Sequence, residues 1–292
     1  MDFVFCYLKF TTMDPLQLFS DYMKVTGTPS LKDAEGPDPA LAGKRLGVVN
    51  AGSWTNLWSS YFGQKMLPGV KILNAGNEAV QLNFMTAYHH GEACPPQINI
   101  DLFTQYAEQL YKLYQVDAIL ISCSTMNRAF QQVSNHMKPF KVPVIQIDEA
   151  MMEEAVSSEG KILVVATHGP TVKSTQDLLL ETAKRLGKGV DFAGATVESA
   201  FELLGEGKIK EHNEVIADAI RAAAKKEKID IVVLAQMSMS VFIFSYPDPE
   251  KEFGMRVLNS GELGFARVAE VLRSGSEGIH LNPISGPNML IS

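Results

Sequence analysis

The chain carries one strand and its following turn twice, and the two copies differ at the residue best placed for chemistry. Residues 116–126 are echoed by residues 229–239. In each copy an acid, Asp117 or Asp230, leads into an apolar run of strand length, and six positions after it stands a turn residue, Cys123 in the first copy and Gln236 in the second. A duplicated strand with a duplicated polar turn points to two similar halves whose strand ends face each other across a cleft.

The echo extends to neighbouring segments. Residues 45–55 resemble residues 161–171, each an apolar strand, a small polar loop and a Thr, Thr55 or Thr171, suited to capping the next helix. Residues 70–80 have a weaker counterpart in 190–198. Thr55 and Thr171 are 116 apart and Cys123 and Gln236 are 113 apart, the near-constant offset expected from a repeated unit of roughly 115 residues.

Apolar runs of strand length fall at 46–50, 71–74, 118–122, 144–147, 162–166, 191–193, 231–235 and 255–258. Amphipathic stretches at 16–25, 101–114, 149–157, 175–186 and 212–226 have helical spacing. Short apolar strands alternating with helices give an α/β fold of two pseudo-symmetric parallel sheets, with sites at the C-terminal strand ends. The expected organisation is a helix and Pro/Gly-rich connector over 1–44, a first half over 45–147 completed by 255–292, and a second half over 148–254.

Of the 292 residues, 46% are hydrophobic and the formal net charge is -7, with no basic stripe, so nucleic acid is not an expected partner. No segment reaches the ~18 apolar residues of a membrane span. The apolar start is interrupted by Lys9 and lacks a signal peptide's basic region; Met13-Asp14-Pro15 itself resembles a natural beginning, which makes residues 1–12 a candidate extension. Three cysteines, Cys6, Cys94 and Cys123, without CxxC spacing argue against a disulfide framework or zinc site and for a reducing, cytoplasmic setting. His89, His90, Glu92 and Cys94 lack metal-ligand spacing, and no nucleotide fingerprint is present, so neither metal nor cofactor is expected.

Ser122-Cys123-Ser124-Thr125 is similar to the Cys-Asn-Thr loop of the aspartate/glutamate/hydantoin racemase superfamily, and the loop from Ala166 through Thr167, His168, Thr171 and Ser174 is similar to its second-half loop. With the repeat itself, the resemblance covers residues 45–267. It implies two α/β halves around a small carboxylate or amide, such as an amino acid, hydantoin or dicarboxylate, and leaves a homodimer open. Classical members use two cysteines, one per half, as acid and base without a cofactor. A helix N-terminus can lower a thiol from its usual pKa of about 8.5 and so supply a thiolate. Here Cys123 matches the first cysteine and Gln236 stands at the second.

Glutamine cannot shuttle a proton near neutral pH, although its amide can donate hydrogen bonds to a carboxylate or enolate. Three chemistries remain open: racemisation with another second base, one-sided proton chemistry such as decarboxylation, and covalent attack by Cys123. The expected catalytic residues are Cys123, His168, Gln236 and Asp148. Asp148 reads first as a helix cap and Glu149 as a first-turn acid, with acid/base work as the alternative. Glu78 has the same double reading. Asn50, Ser53, Thr55, Ser124, Thr125, Thr167, Thr171 and Ser238 are the expected substrate-binding residues, their hydroxyls and amides suited to a carboxylate. A binding protein that kept the cleft and lost the chemistry is the rival from another class.

Overall fold

The computed structural model describes residues 14–27 and 35–275. The elements begin with α1 (Pro15–Thr26), β1 (Arg45–Asn50), α2 (Asn56–Met66), β2 (Lys71–Gly76), α3 (Glu78–His89), α4 (Gln97–Tyr114), β3 (Ala118–Ile121), α5 (Phe130–Met137) and β4 (Val144–Gln146). They continue with α6 (Glu149–Ser157), β5 (Lys161–Ala166), α7 (Gly169–Leu186), β6 (Asp191–Thr196), α8 (Glu198–Gly205), α9 (Ile209–Lys226), β7 (Ile231–Leu234), α10 (Phe242–Ser245), α11 (Pro249–Phe253), β8 (Arg256–Asn259) and α12 (Ser260–Ser274). The readings of Cys6, residues 1–12, part of the connector and residues beyond 275 lie outside the described residues.

The strands form two four-stranded parallel sheets ordered β2-β1-β3-β4 and β6-β5-β7-β8. This is the expected α/β architecture of two like halves. The Asp that opens each repeated strand has a visible task. Asp117 accepts the Arg45 backbone N–H at 2.8 Å, and Asp230 accepts that of Lys161 at 2.9 Å. Each carboxylate thereby pins the start of one central strand to the next, β3 to β1 and β7 to β5, which places Cys123 and Gln236 at equivalent strand ends.

Helices cover both faces of each sheet, and strand alternation decides which side chains meet them. Val49, Ile119 and Ile121 pack with Phe84, Phe103, Phe130 and Val133 from α3, α4 and α5. Leu163, Val165, Val232 and Leu234 pack with Ile216, Ile220 and Phe242 from α9 and α10. The other faces are closed by exchanged helices. Met151, Met152 and Ala155 of α6, which follows the first sheet's last strand, pack on Ile162, Val164 and Val233 of the second sheet. Phe265, Val268 and Leu272 of α12, which follows the second sheet's last strand, pack on Leu46, Val48 and Leu120 of the first.

That exchange corrects the expected assignment of 255–292 to the first half. β8 pairs with β7 in the second sheet, and among the described residues of that segment only α12 returns to the first. Gly264 permits the close approach, because a Cβ there would lie 2.5 Å from the Ile147 carbonyl oxygen. The helix expected at 175–186 starts at Gly169, with Pro170 in its first turn, where the missing N–H leaves no bond unmade. No helix among the described residues is long and apolar enough to cross a membrane.

Candidate active site

Beyond the C-terminal ends of both sheets lies a cleft of about 580 Å3, counting the part open to solvent. Its lining draws on matching places in the two halves. The first contributes Ala51, Gly52, Trp54 and Thr55 after β1, Gln81, Phe84 and Met85 from α3, and Ser122 to Thr125 after β3. The second contributes His168 after β5, Phe201 from α8, and Gln236, Met237 and Ser238 after β7. No Asp, Glu, Lys or Arg is among these residues, and five of them carry large apolar side chains.

Cys123 and Gln236 each lead into a 3-10 turn, Ser124–Ala129 and Met237–Val241. Cys123 is half-buried with its sulfur enclosed, 3.1 Å from Thr125 Oγ1. Backbone N–H groups of Ala51, Thr125 and Met126 and the Thr125 hydroxyl favour the thiolate, but burial outweighs them and pushes the thiol up from its ordinary value. The turn therefore does not supply the resting thiolate expected from a helix start. At neutral pH Cys123 carries its proton.

His168 is shifted the opposite way. It precedes α7 and packs edge-on against Phe201 with centroids 4.3 Å apart. Burial pushes the imidazole down, and the nearby Glu198 only partly offsets this. The ring is accordingly neutral at neutral pH, with one nitrogen able to take a proton.

Gln236 is held by one residue. Its Oε1 accepts the Thr167 backbone N–H at 2.6 Å and the Thr167 hydroxyl at 2.8 Å. A backbone N–H can only donate, so the amide oxygen must face Thr167 and the NH2 must face away from it. Thr167, fully buried and absent from the cleft lining, thus orients Gln236. From the first half, Trp58 Nε1 donates to the Ser238 carbonyl at 3.1 Å and holds the same turn.

The remaining expected residues divide plainly. Thr55, Ser124, Thr125 and Ser238 line the cleft. Thr55 caps nothing with its side chain and donates instead to the Gly52 carbonyl at 2.7 Å. Asn50, Ser53, Thr171 and Asp148 are absent from the lining. Asn50 donates to Asn56 at 2.7 Å, Ser53 donates to Glu78, and Thr171 is buried within α7. Glu78 is thereby engaged away from the cleft, while Glu149 faces Arg185 at 3.5 Å.

Trp54, Gln81, Phe84, Met85, Phe201 and Met237 escaped the sequence reading. A signal existed for some of them. Trp54 lies inside the repeated 45–55 loop, and the weak echo that aligns Glu78 with Glu198 aligns Gln81 with Phe201 when carried three residues further. Among the described residues, no group of three or more His, Cys, Asp or Glu gathers as a metal site would require.

A family profile described as Asp/Glu/Hydantoin racemase matches residues 85–268, more than half of the chain. The structure is similar to glutamate racemase of Francisella tularensis subsp. tularensis SCHU S4 in complex with D-glutamate, with a TM-score of 0.58 at 16% identity, covering 79% of this chain and 81% of that one. It is similar to an aspartate racemase homologue of Pyrococcus horikoshii OT3, with a TM-score of 0.56 at 19% identity over 79% of this chain and 99% of that one. Allantoin racemase of Klebsiella pneumoniae gives 0.52 at 19% identity over 78% and 86%. No curated protein sequence matches the chain.

Proposed function

The chain belongs to the Asp/Glu/hydantoin racemase family, and we propose that it catalyses cofactor-independent proton transfer at a carbon next to a carbonyl, with one proton carrier in each half. The observation that carries this reading is the opposite poise of two residues lining one cleft. The Cys123 thiol is pushed up and stays protonated, whereas the His168 imidazole is pushed down and stays free. A protonated acid and an unprotonated base can act in one step without a resting thiolate.

In that step neutral His168 removes the proton α to the carbonyl, the electron pair shifts onto the carbonyl oxygen, and Cys123 returns a proton to the carbon. The Gln236 NH2, set by Thr167, donates to the enolate-like oxygen, where charge is greatest. Histidine takes the role that the second cysteine has in classical members. Because no charged side chain among the described residues lines the cleft, the substrate we favour has a single carboxylate or is an uncharged cyclic amide. The ammonium and second carboxylate of aspartate or glutamate would find no counter-charge among the lining residues. Trp54, Phe84, Met85 and Phe201 suit an apolar substituent.

The protonated thiol also favours a second reading, in which loss of carbon dioxide generates the carbanion and Cys123 protonates it. Incubation of aryl- and alkyl-substituted carboxylates and hydantoins in deuterated water separates the two. Deuterium at the α carbon without loss of mass elsewhere supports proton transfer, and carbon dioxide release supports the lyase. Neither outcome across such a panel, with Cys123→Ala binding the same compounds as the parent, would leave a binding protein as the better account.

A further inference from the structure

Asp148 stands where a helix cap would stand, immediately before α6, yet its side chain makes no capping bond. The carboxyl turns inward instead. It is 3% exposed, and its Oδ1 lies 3.0 Å from the Ser124 hydroxyl. Ser124 lines the cleft next to Cys123, so a single hydroxyl separates a buried acid from the substrate space. The second half has no equivalent group. β4 pairs through Gln146 opposite Ile121 and β8 through Asn259 opposite Leu234, which sets Asp148 against Gly261.

We infer that Asp148 is a positioning residue that decides, by holding or releasing a proton, whether Ser124 offers the cleft a hydrogen-bond donor or an acceptor. The inference rests on reading the cleft as a substrate site. With Asp148 ionised, the carboxylate accepts the Ser124 O–H, and only lone pairs of Ser124 remain for the cleft. When Asp148 takes a proton from solvent, its own O–H donates to Ser124 Oγ across the same distance. The Ser124 hydrogen is then free to turn toward a bound anion. A hydroxyl can accept and donate at once, and a carboxyl changes from acceptor to donor on protonation, so the relay needs no other reactant.

The surroundings put this change in the working range of pH. Burial pushes the Asp148 carboxyl up to about 7, and the two groups opposing burial are the Ser124 and Ser260 hydroxyls, the latter facing it from α12 without forming a hydrogen bond of its own. Charged side chains on the packed elements are engaged elsewhere. On α6 and α7, Glu149 and Glu153 face Arg185; Arg267 of α12 pairs with Glu153, and Arg128 of the 3-10 turn with Glu181. Of the cleft groups among the described residues that titrate, burial pushes Cys123 further up from its ordinary value and His168 further down from its own, each away from neutrality.

The test is the affinity of phenylacetate, an aromatic monocarboxylate that keeps its charge throughout, measured by calorimetry from about pH 6 to about pH 8.5 on the full chain. The parent protein is expected to bind progressively more weakly above about pH 7, by up to about tenfold per pH unit. Asp148→Asn, which has no titrating proton and keeps near the acid-side affinity when its NH2 donates to Ser124, is expected to lose the slope. Ser124→Ala is expected to bind weakly and without slope, and it carries the test if Asp148→Asn fails to fold. A slope that survives in Ser124→Ala would mean plain charge repulsion by Asp148 and would overturn the relay. A flat parent profile, a slope unchanged in Asp148→Asn, or no binding at any pH would overturn it too. Failure of deuterium incorporation with this slope intact would remove the catalytic reading and leave the relay standing.

Discussion

The two halves share a strand order, a pinning Asp, a 3-10 turn and even the habit of lending a helix to the other sheet, yet their cleft walls are chemically unlike. At the strand ends of the first sheet stand groups whose hold on a proton burial strengthens, the Cys123 thiol in the cleft and the Asp148 carboxyl behind Ser124. The second presents groups that do not, a fixed amide at Gln236 and a His168 ring kept neutral. A repeated backbone fixes where side chains meet the cleft. Local burial then shifts them in opposite directions, raising the thiol and lowering the imidazole.

The largest break in that comparison is expected from Cys123→Ala, which removes the proposed acid of the first wall and should lower α-deuterium incorporation by about 10^3-fold or more. Asp148→Asn should next change how stability depends on pH. The folded carboxyl, raised to about 7 from 3.8, favours the folded state below 3.8, and that contribution is lost as pH rises through 7. Each pH unit between those values is worth about 1.4 kcal/mol. The variant should therefore be more stable than the parent near pH 8 by an amount of order 4 kcal/mol, read from urea midpoints. An unchanged midpoint would count against a proton held there.

Gln236→Glu tests the second wall with smaller disturbance. Both Thr167 bonds survive on a carboxylate oxygen, but the NH2 donor is gone and a charge replaces it, so the exchange rate should fall by about 10^2-fold. Parental activity in this variant would remove Gln236 from the mechanism. Gly264→Ala should cost about 1–3 kcal/mol through the clash with the Ile147 carbonyl oxygen. That loss would show how strongly α12 holds the halves together without touching the cleft.

Much of this was legible because strand periodicity and turn composition are local. The eight strands of the described residues were read near their observed positions, and Cys123, Gln236, Ser124, Thr125 and Ser238 line the cleft because the turns after β3 and β7, the matching strands of the two sheets, both open onto it. What escaped was set by partners distant in sequence. The apolar stripe of residues 260–274 says that the helix must be covered, not by which sheet. Thr167 reads as a ligand-gripping hydroxyl until Gln236 is seen to occupy it. Asp148 reads as a cap, since only the fold brings Ser124 within 3.0 Å. The thiol's proton affinity also depends on enclosure by both halves, which no stretch of sequence reports.

The opposed poise of the two walls is most directly tested by the rate of Cys123 alkylation with iodoacetamide as a function of pH, with Cys6→Ser and Cys94→Ser as the background so that neither other thiol contributes. The account predicts a half-point above the ordinary thiol value of about 8.5, and slow modification at neutral pH. A half-point at or below that value would mean a resting thiolate in the first wall, and would contradict the assignment of Cys123 as the acid and His168 as the base.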